Sequence, residues 1–416
     1  TKGNNMKFRR LKFSVLFMVA LLAISCTKQE KDAKYVFYFI GDGMGFSHVA
    51  LTEAYLAASE DKIGSLPLSF SQFPTLGMVA THSANRNTTC SSAAGTALAT
   101  GTKTKNGMLG MDADSVALKS IAYKAHEAGY KVGIMSSATI DHATPASFYA
   151  NSAKRSDYFN ISIQLTESDF EFFGGGGFHA GSRDKAKADS IFKSAAANEY
   201  TIVNSVEEYN AKKGEAEKMI LLQQKEQEMG SIPYYLQSEE GSLRLADVVE
   251  AAVDFLENED GFFIMAEAGT IDWAAHSNDV ANTVYETLEL DKAVAIAYEF
   301  YLRHPDETLI IVTADHETGG VALGGNSNSK YNLKIVHDYV NKNVSKDIDT
   351  NVDNYMSGEI PIDELSAKAN VGWTTTNHTA THVPIFAIGV GHQNFSGRMD
   401  NTEVPMKVCD AMGIEF

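Results

Sequence analysis

The stretch Gly261 to His276 reads GFFIMAEAGTIDWAAH and constrains this chain more than any other. Phe262 to Met265 is an apolar run of the character expected of a buried strand. It leads to a carboxylate, Glu267, then to a small-residue loop, Ala268-Gly269-Thr270, and then to Asp272 and His276. On a helix, residues four apart share one face, one turn from each other. A strand thus delivers one carboxylate at its end, and the next turn delivers a carboxylate and an imidazole. In α/β folds, sites lie beyond the carboxyl ends of strands. Carboxylate oxygen and imidazole nitrogen are ligands for zinc, and carboxylate oxygen also suits magnesium. Taken alone, the stretch is equally a helix start with solvated acids and a surface histidine.

The pattern recurs. Tyr35 to Ile40 is a continuous apolar and aromatic run that ends at Gly41-Asp42-Gly43-Met44-Gly45. Thr308 to Thr313 ends at Ala314-Asp315-His316-Glu317-Thr318-Gly319-Gly320. Lys131 to Ser136 leads into Ile140-Asp141-His142-Ala143-Thr144-Pro145. A residue before proline is disfavoured in helical geometry, so Thr144 is expected to be extended. A helix is expected after Pro145, running toward Lys154-Arg155. Further strands are predicted at Phe170 to Gly177 and Val383 to Ile388, with helices at Lys119 to Ala128, Leu243 to Leu256 and Asn282 to Tyr301. Gly181 to Glu240 reads as helices and loops, and residues 321–371 as an excursion outside the sheet. Alternating strands and helices predict an α/β fold: a central, largely parallel sheet with helices on both faces. Asp42, Glu267, Asp315, Thr144 and His378 then all fall on one rim of that sheet.

Thr88 to Gly101, TTCSSAAGTALATG, consists of small residues apart from Leu98. A helix is predicted from about Ala93, with Ser91 or Ser92 near its start. Free N–H groups at a helix N-terminus attract anions, so a hydroxyl there is well placed to attack phosphorus. The same run also reads as a tight helix-packing surface.

The first residues stand apart from this core. Lys7, Arg9, Arg10 and Lys12 precede an apolar run, Phe13 to Ile24, and then Ser25-Cys26. That run is too short to span a bilayer and reads as a secretory signal. Leu22-Ala23-Ile24-Ser25-Cys26 resembles a bacterial lipoprotein cleavage site, with Cys26 as the lipidated residue. The expectation is an exported protein held in the periplasm or cell envelope by that lipid, with residues 26–34 as a tether. Residues 1–25 hold five Lys or Arg and no Asp or Glu, which leaves 30 basic against 53 acidic side chains in the remainder. An acidic surface argues against nucleic-acid binding, which relies on basic patches. It also argues against electrostatic adhesion to anionic lipid. After Cys26 only Cys90 and Cys409 remain, enough for one disulfide but not for a framework.

Gly41-Asp42-Gly43-Met44-Gly45, Thr96-Ala97 with Gly101, His142-Ala143-Thr144-Pro145, Glu267…Asp272…His276, Thr313-Ala314-Asp315-His316 and His378-Thr379 occur in that order. Their order and spacing resemble the alkaline phosphatases of bacteria and animals, over nearly the whole chain from about Val36 to Ile388. The resemblance implies a catalytic domain over residues 35–416, including a crown-like insertion at about 321–371. It implies two Zn2+ and one Mg2+. Asp272, His276 and His378 match the ligands of the first zinc, and Asp42, Asp315 and His316 those of the second. Asp42, Thr144 and Glu267 match the magnesium ligands, so Asp42 would serve two metals. Ser91 matches the phosphorylated nucleophile and Arg155 the phosphate-holding arginine. The reaction implied is hydrolysis of phosphate monoesters to an alcohol and phosphate by two in-line displacements through a phosphoserine. The family is often dimeric, which carries over the expectation of a homodimer.

This chain departs from the family pattern near the phosphate. Cys90 precedes the nucleophile where Asp is common, Trp273 follows Asp272 where Lys or His is common, and His142 replaces an Asp found in some bacterial enzymes. Two other functions share much of this residue set. One is a related esterase acting on diesters, sulfate esters or phosphonates; the other is a non-catalytic lipoprotein that binds metal or phosphate. Arg155 favours a dianionic monoester over a diester, and the full ligand set with Ser91 favours catalysis over binding.

Overall fold

The central strand, β1 (Tyr35–Gly41), is buried along its whole length. Its side chains alternate between two covered faces. Phe37 packs edge-on against Phe300 of the helix Val280–Arg303. Tyr38, on the other face, meets Phe148 and donates its hydroxyl to the Leu98 carbonyl at 3.2 Å. A strand covered on both sides needs an unbroken apolar run, which YVFYFI supplies. A computed structural model of the protein describes residues 32–181, 184–223, 230–324, 331–344 and 362–416. The expected signal segment, Cys26 and most of the expected tether lie outside the described residues, as does part of the 321–371 segment.

Along the chain the further strands of the main sheet are β2 (Thr75–Ala80), β3 (Lys131–Ser136), β4 (Phe172–Gly175), β5 (Tyr200–Val203), β6 (Lys218–Leu222), β7 (Phe262–Ala268) and β8 (Thr308–Thr313). Four short strands, β9 (Glu317–Thr318), β10 (Ala322–Leu323), β11 (Val371–Gly372) and β12 (His378–Thr379), precede β13 (Val383–Gly389) and β14 (Gly397–Asp400). The main sheet among the described residues has ten strands in the order β14-β2-β13-β8-β1-β7-β3-β4-β6-β5. Every pairing in it is parallel except those of β13, which runs antiparallel to β2 and β8. Helices Leu245–Leu256 and Val280–Arg303 lie against one face and Ile121–Glu127 against the other. The fold is the predicted α/β architecture.

Several elements differ from expectation. The segment 181–240 contains two strands, β5 and β6, where helices and loops were expected. Both are short, and β5 lies at the sheet edge with a half-exposed centre, so their apolar signal is diluted by polar neighbours. Strands β2 and β14 also carry no strong apolar run. Thr144 is helical: Ala143–Ala146 forms one turn, and no long helix follows Pro145. Pro145 is the third residue of that turn, where the backbone N–H has no intrahelical partner, so its loss costs no hydrogen bond.

Beyond β10, helices Lys334–Val344 and Ile362–Ala369 lie outside the main sheet. Leu333, Val336, Leu365 and Val371 join Leu51, Tyr55 and Val284 in a second apolar cluster. The cysteines Cys90 and Cys409 are both free.

Candidate metal centre and active site

Strands β7, β1 and β8 are neighbours, and their register aligns Ile40 with both Glu267 and Thr313. The parallel arrangement therefore brings Asp42, Glu267 and Asp315 out at the same edge. Since β13 runs the opposite way, its beginning lies at that same edge. His378, five residues before it, joins them. Pairing of β12 with β9 ties His378 to Thr318.

The helix Thr270–His276 starts directly after β7. Its i, i+4 spacing sets His276 Nε2 3.3 Å from Asp272 Oδ2. His378 Nε2 lies 3.6 Å from Asp272 Oδ1 and 3.1 Å from His276 Nε2. The His378 ring stacks on His316 at 3.6 Å between centroids. His316 Nε2 is 3.4 Å from Asp42 Oδ1 and 3.2 Å from Asp315 Oδ2. Gly43 permits this closeness. It has φ +75°, and a Cβ there would lie 3.0 Å from the Asp272 Cα.

Two imidazoles are aimed from behind. His276 Nδ1 is 2.6 Å from the Thr376 carbonyl and His378 Nδ1 3.0 Å from that of Thr89. With Nδ1–H donated outward, each Nε2 lone pair faces the cluster. Thr318 Oγ1 donates to Asp272 Oδ1 and lies 3.3 Å from His316 Nδ1. Ser136 Oγ donates to Glu267 Oε2. Thr318 and Ser136 were not singled out from sequence. Thr318 lies inside the Asp-His-Glu-Thr-Gly-Gly run, and Ser136 is the last residue of β3, in register with Glu267. The two carbonyls have no sequence signal at all.

Buried oxygens here lack partners. Apart from the nearby His316 ring, both Asp42 carboxylate oxygens, Glu267 Oε1, Asp315 Oδ2 and Thr144 Oγ1 have no hydrogen-bond partner among the described residues. Burial, with the neighbouring carboxylates, raises Asp42 well above the ordinary range and pushes Asp315 up to about 8. Burial alone would raise Asp272 too, but His276, His316 and His378 outweigh it and hold that carboxyl low. Burial and the His378 charge keep His316 well below its usual range, hence neutral. Unpartnered buried carboxylates are costly unless a cation completes them. The donors fit that role: Asp272, His316 and His378 form one group able to hold a metal ion, Asp42, Asp315 and His316 a second, and Asp42, His142 and Glu267 a third. Asp42 belongs to two of them.

Ser91 begins the helix Ser91–Thr100. Its Oγ lies 3.3 Å from His316 Nε2. The Ser92 hydroxyl is instead 3.2 Å from Cys90 Sγ. Gly95 lets this helix approach the turn that carries Thr144, since a Cβ there would meet Thr144 Cα at 3.3 Å. Cys90 Sγ accepts the Gly107 N–H at 3.2 Å, and the Gly107 carbonyl accepts the Arg155 N–H at 2.7 Å. Arg155 Nη2 is 3.2 Å from His142 Nε2, and the His142 ring meets Trp273 edge-on. Desolvation and the Arg155 charge push His142 down to about 3, so it stays neutral and accepts.

Three catalysis-grade features thus share one rim: a hydroxyl at a helix start, a guanidinium, and donors for several cations. The family model for alkaline phosphatase matches residues 33–414. The chain belongs to the alkaline phosphatase family. It is 30% identical to alkaline phosphatase 4 of Bacillus subtilis, over 91% of this chain and 89% of that protein. Among solved structures, it resembles a mutant alkaline phosphatase of the Antarctic bacterium TAB5 with Mg bound in its M3 site. That likeness has 29% identity and a TM-score of 0.74, and covers 93% of this chain and 100% of the other. The Thermus thermophilus alkaline phosphatase matches at 26% identity and a TM-score of 0.77, over 93% of this chain and 92% of that one. Alkaline phosphatases are metal-dependent hydrolases, and the carboxylate and imidazole groups above are where this member can bind metal.

Proposed function

We propose that this alkaline phosphatase hydrolyses phosphate monoesters through a phosphoserine on Ser91. The observation that carries the reading is the Ser91 hydroxyl, at a helix start and 3.3 Å from a buried imidazole of the cation-fitting groups. Zn2+ would be held by Asp272, His276 and His378 and again by Asp42, Asp315 and His316, and Mg2+ by Asp42, Thr144 and Glu267. Mixed nitrogen and oxygen donors suit zinc, and an all-oxygen set suits magnesium. When bound, these cations would favour the ionised hydroxyl and neutralise the leaving oxygen as Lewis acids.

The chain's own groups do the rest. Ser91 Oγ attacks phosphorus in line with the departing alcohol oxygen; the Ser91 O–P bond forms as the ester P–O bond breaks, and the alcohol leaves with a proton. Water then attacks the phosphoserine and releases phosphate. Arg155 would fork onto two non-bridging oxygens. The N–H groups of the first helical turn favour the negative charge. Cys90 and Trp273 line this phosphate environment, and neutral His142 braces the guanidinium.

The test compares hydrolysis of a monoester and a diester by the metal-loaded chain, before and after chelation, with the bound metals assayed. A brief reaction at low pH should trap phosphate on Ser91, and Ser91→Ala should lose roughly a hundredfold or more in kcat. Phosphate located on Ser92, or faster diester than monoester turnover, would sink the reading.

The reading extends to export. Cys26 is proposed as the lipidated first residue of an envelope protein, so Cys26→Ala should move the activity from the membrane to the soluble fraction. Retention of the variant on the membrane counts against the anchor. A homodimer is proposed on the family's common state, with a monomer mass by light scattering as the contrary result.

A further inference from the structure

Glu286 lies on the helix Val280–Arg303 and is buried. Both its oxygens accept: Oε1 takes the Tyr235 N–H at 2.7 Å, and Oε2 takes the Thr270 hydroxyl. Thr270 is the first residue of the helix Thr270–His276, two residues before Asp272. Its Oγ1 lies 2.9 Å from Ser137 Oγ, which also accepts the Thr270 N–H at 3.3 Å. Ser137 in turn donates its own N–H to the Glu267 carbonyl at 2.9 Å. The end of β3, the end of β7, the short helix and the segment at Tyr235 therefore meet at one carboxylate.

That helix needs an outside anchor. It has seven residues, and its N-cap residue Gly269 supplies no side-chain cap. A helix that short does not hold its own orientation. We propose that Glu286 is a positioning residue for the metal centre, which fixes through Thr270 the helix presenting Asp272 and His276. The inference rests on reading those two residues as metal ligands. Partners that orient ligands from behind are typically worth 10–100-fold in metal affinity.

The experiment measures zinc affinity of the metal-stripped full chain by competition with a chromophoric chelator. Thr270→Val removes only the hydroxyl at constant size, and Thr270→Ser restores it. Zinc binding should weaken roughly 10–100-fold in Thr270→Val and in Glu286→Ala, and return near the parent value in Thr270→Ser. If Glu286→Ala does not fold, the Val and Ser pair decides. Parental zinc affinity in Thr270→Val, or equal losses in the Val and Ser variants, overturns the proposal. A parent that binds zinc yet hydrolyses no monoester sinks the proposed reaction and leaves this affinity comparison standing.

Discussion

Asp42 has two buried carboxylate oxygens without partners and belongs to two of the three donor groups. Asp272 belongs to one, and its neighbours are imidazoles. The two residues should therefore fail differently. Asp42→Asn keeps the size but removes a charge that two sites share. It should reduce both zinc and magnesium content, whereas Asp272→Asn should chiefly reduce zinc. Metal analysis of the two purified variants checks this, and equal magnesium loss from both would count against a shared Asp42. The residue scale is also where sequence was most informative. The carboxylates and imidazoles, their order and the four-residue Asp272–His276 spacing are readable in the sequence, but not their grouping: the clusters able to hold a metal take in His142 and leave out His276. The orienting carbonyls of Thr89 and Thr376 are not readable either, since every residue has one and only the fold decides which imidazole it meets.

At the scale of elements, the helix Phe46–Ser59 that follows Asp42 contains a titratable group in an unusual place. That group is His48. It is fully buried; its Nδ1 accepts the Gly45 N–H at 3.2 Å, while Nε2 has no partner among the described residues. Burial lowers it to about 4. A base depressed in the folded state contributes its full stability above its unfolded value, about 6.5, and loses it as pH falls from there toward 4. The loss at His48 should approach 3 kcal/mol, on the order of 1.4 kcal/mol per pH unit. His48→Gln keeps an acceptor for Gly45 without titrating, so denaturant unfolding between pH 7 and 4 should show a shallower decline in the variant. Identical slopes would remove His48 from the account. Buried central strands β1, β3, β7 and β8 were readable because burial on both faces demands continuous apolar runs. Strands β2, β5 and β14 lie at or near the sheet edges, where some residues of each strand meet solvent and the apolar run is interrupted, so the same rule gives a weak signal there. The antiparallel direction of β13 is likewise absent from composition. The pre-proline rule misassigned Thr144 because it is a steric bias rather than a prohibition, and the single turn Ala143–Ala146 forms against it.

For the whole molecule, buried carboxyls without hydrogen-bond partners are a standing cost in the metal-free chain, and bound cations would offset it. Each tight site occupied at a hundred times its Kd adds about 2.7 kcal/mol. Chelation should therefore lower the thermal midpoint by several degrees, and zinc with magnesium should restore it. An unchanged midpoint would mean that the carboxylate cluster is satisfied some other way. The parallel sheet that gathers these groups also joins strands remote in sequence: β1 pairs with β7, which starts at Phe262, and with β8, which starts at Thr308.

Pairing of that kind is slow, because long loops must close before any contact rewards them. His378 and the β13 that anchors it come near the end of the chain. While the polypeptide is still being synthesised, Asp42 and Ser91 have emerged but the donors that complete their groups have not. The group of Asp272, His316 and His378 therefore stays incomplete until His378 has been made. That group can bind a cation only after a segment near the end of the chain has met strands that were made first.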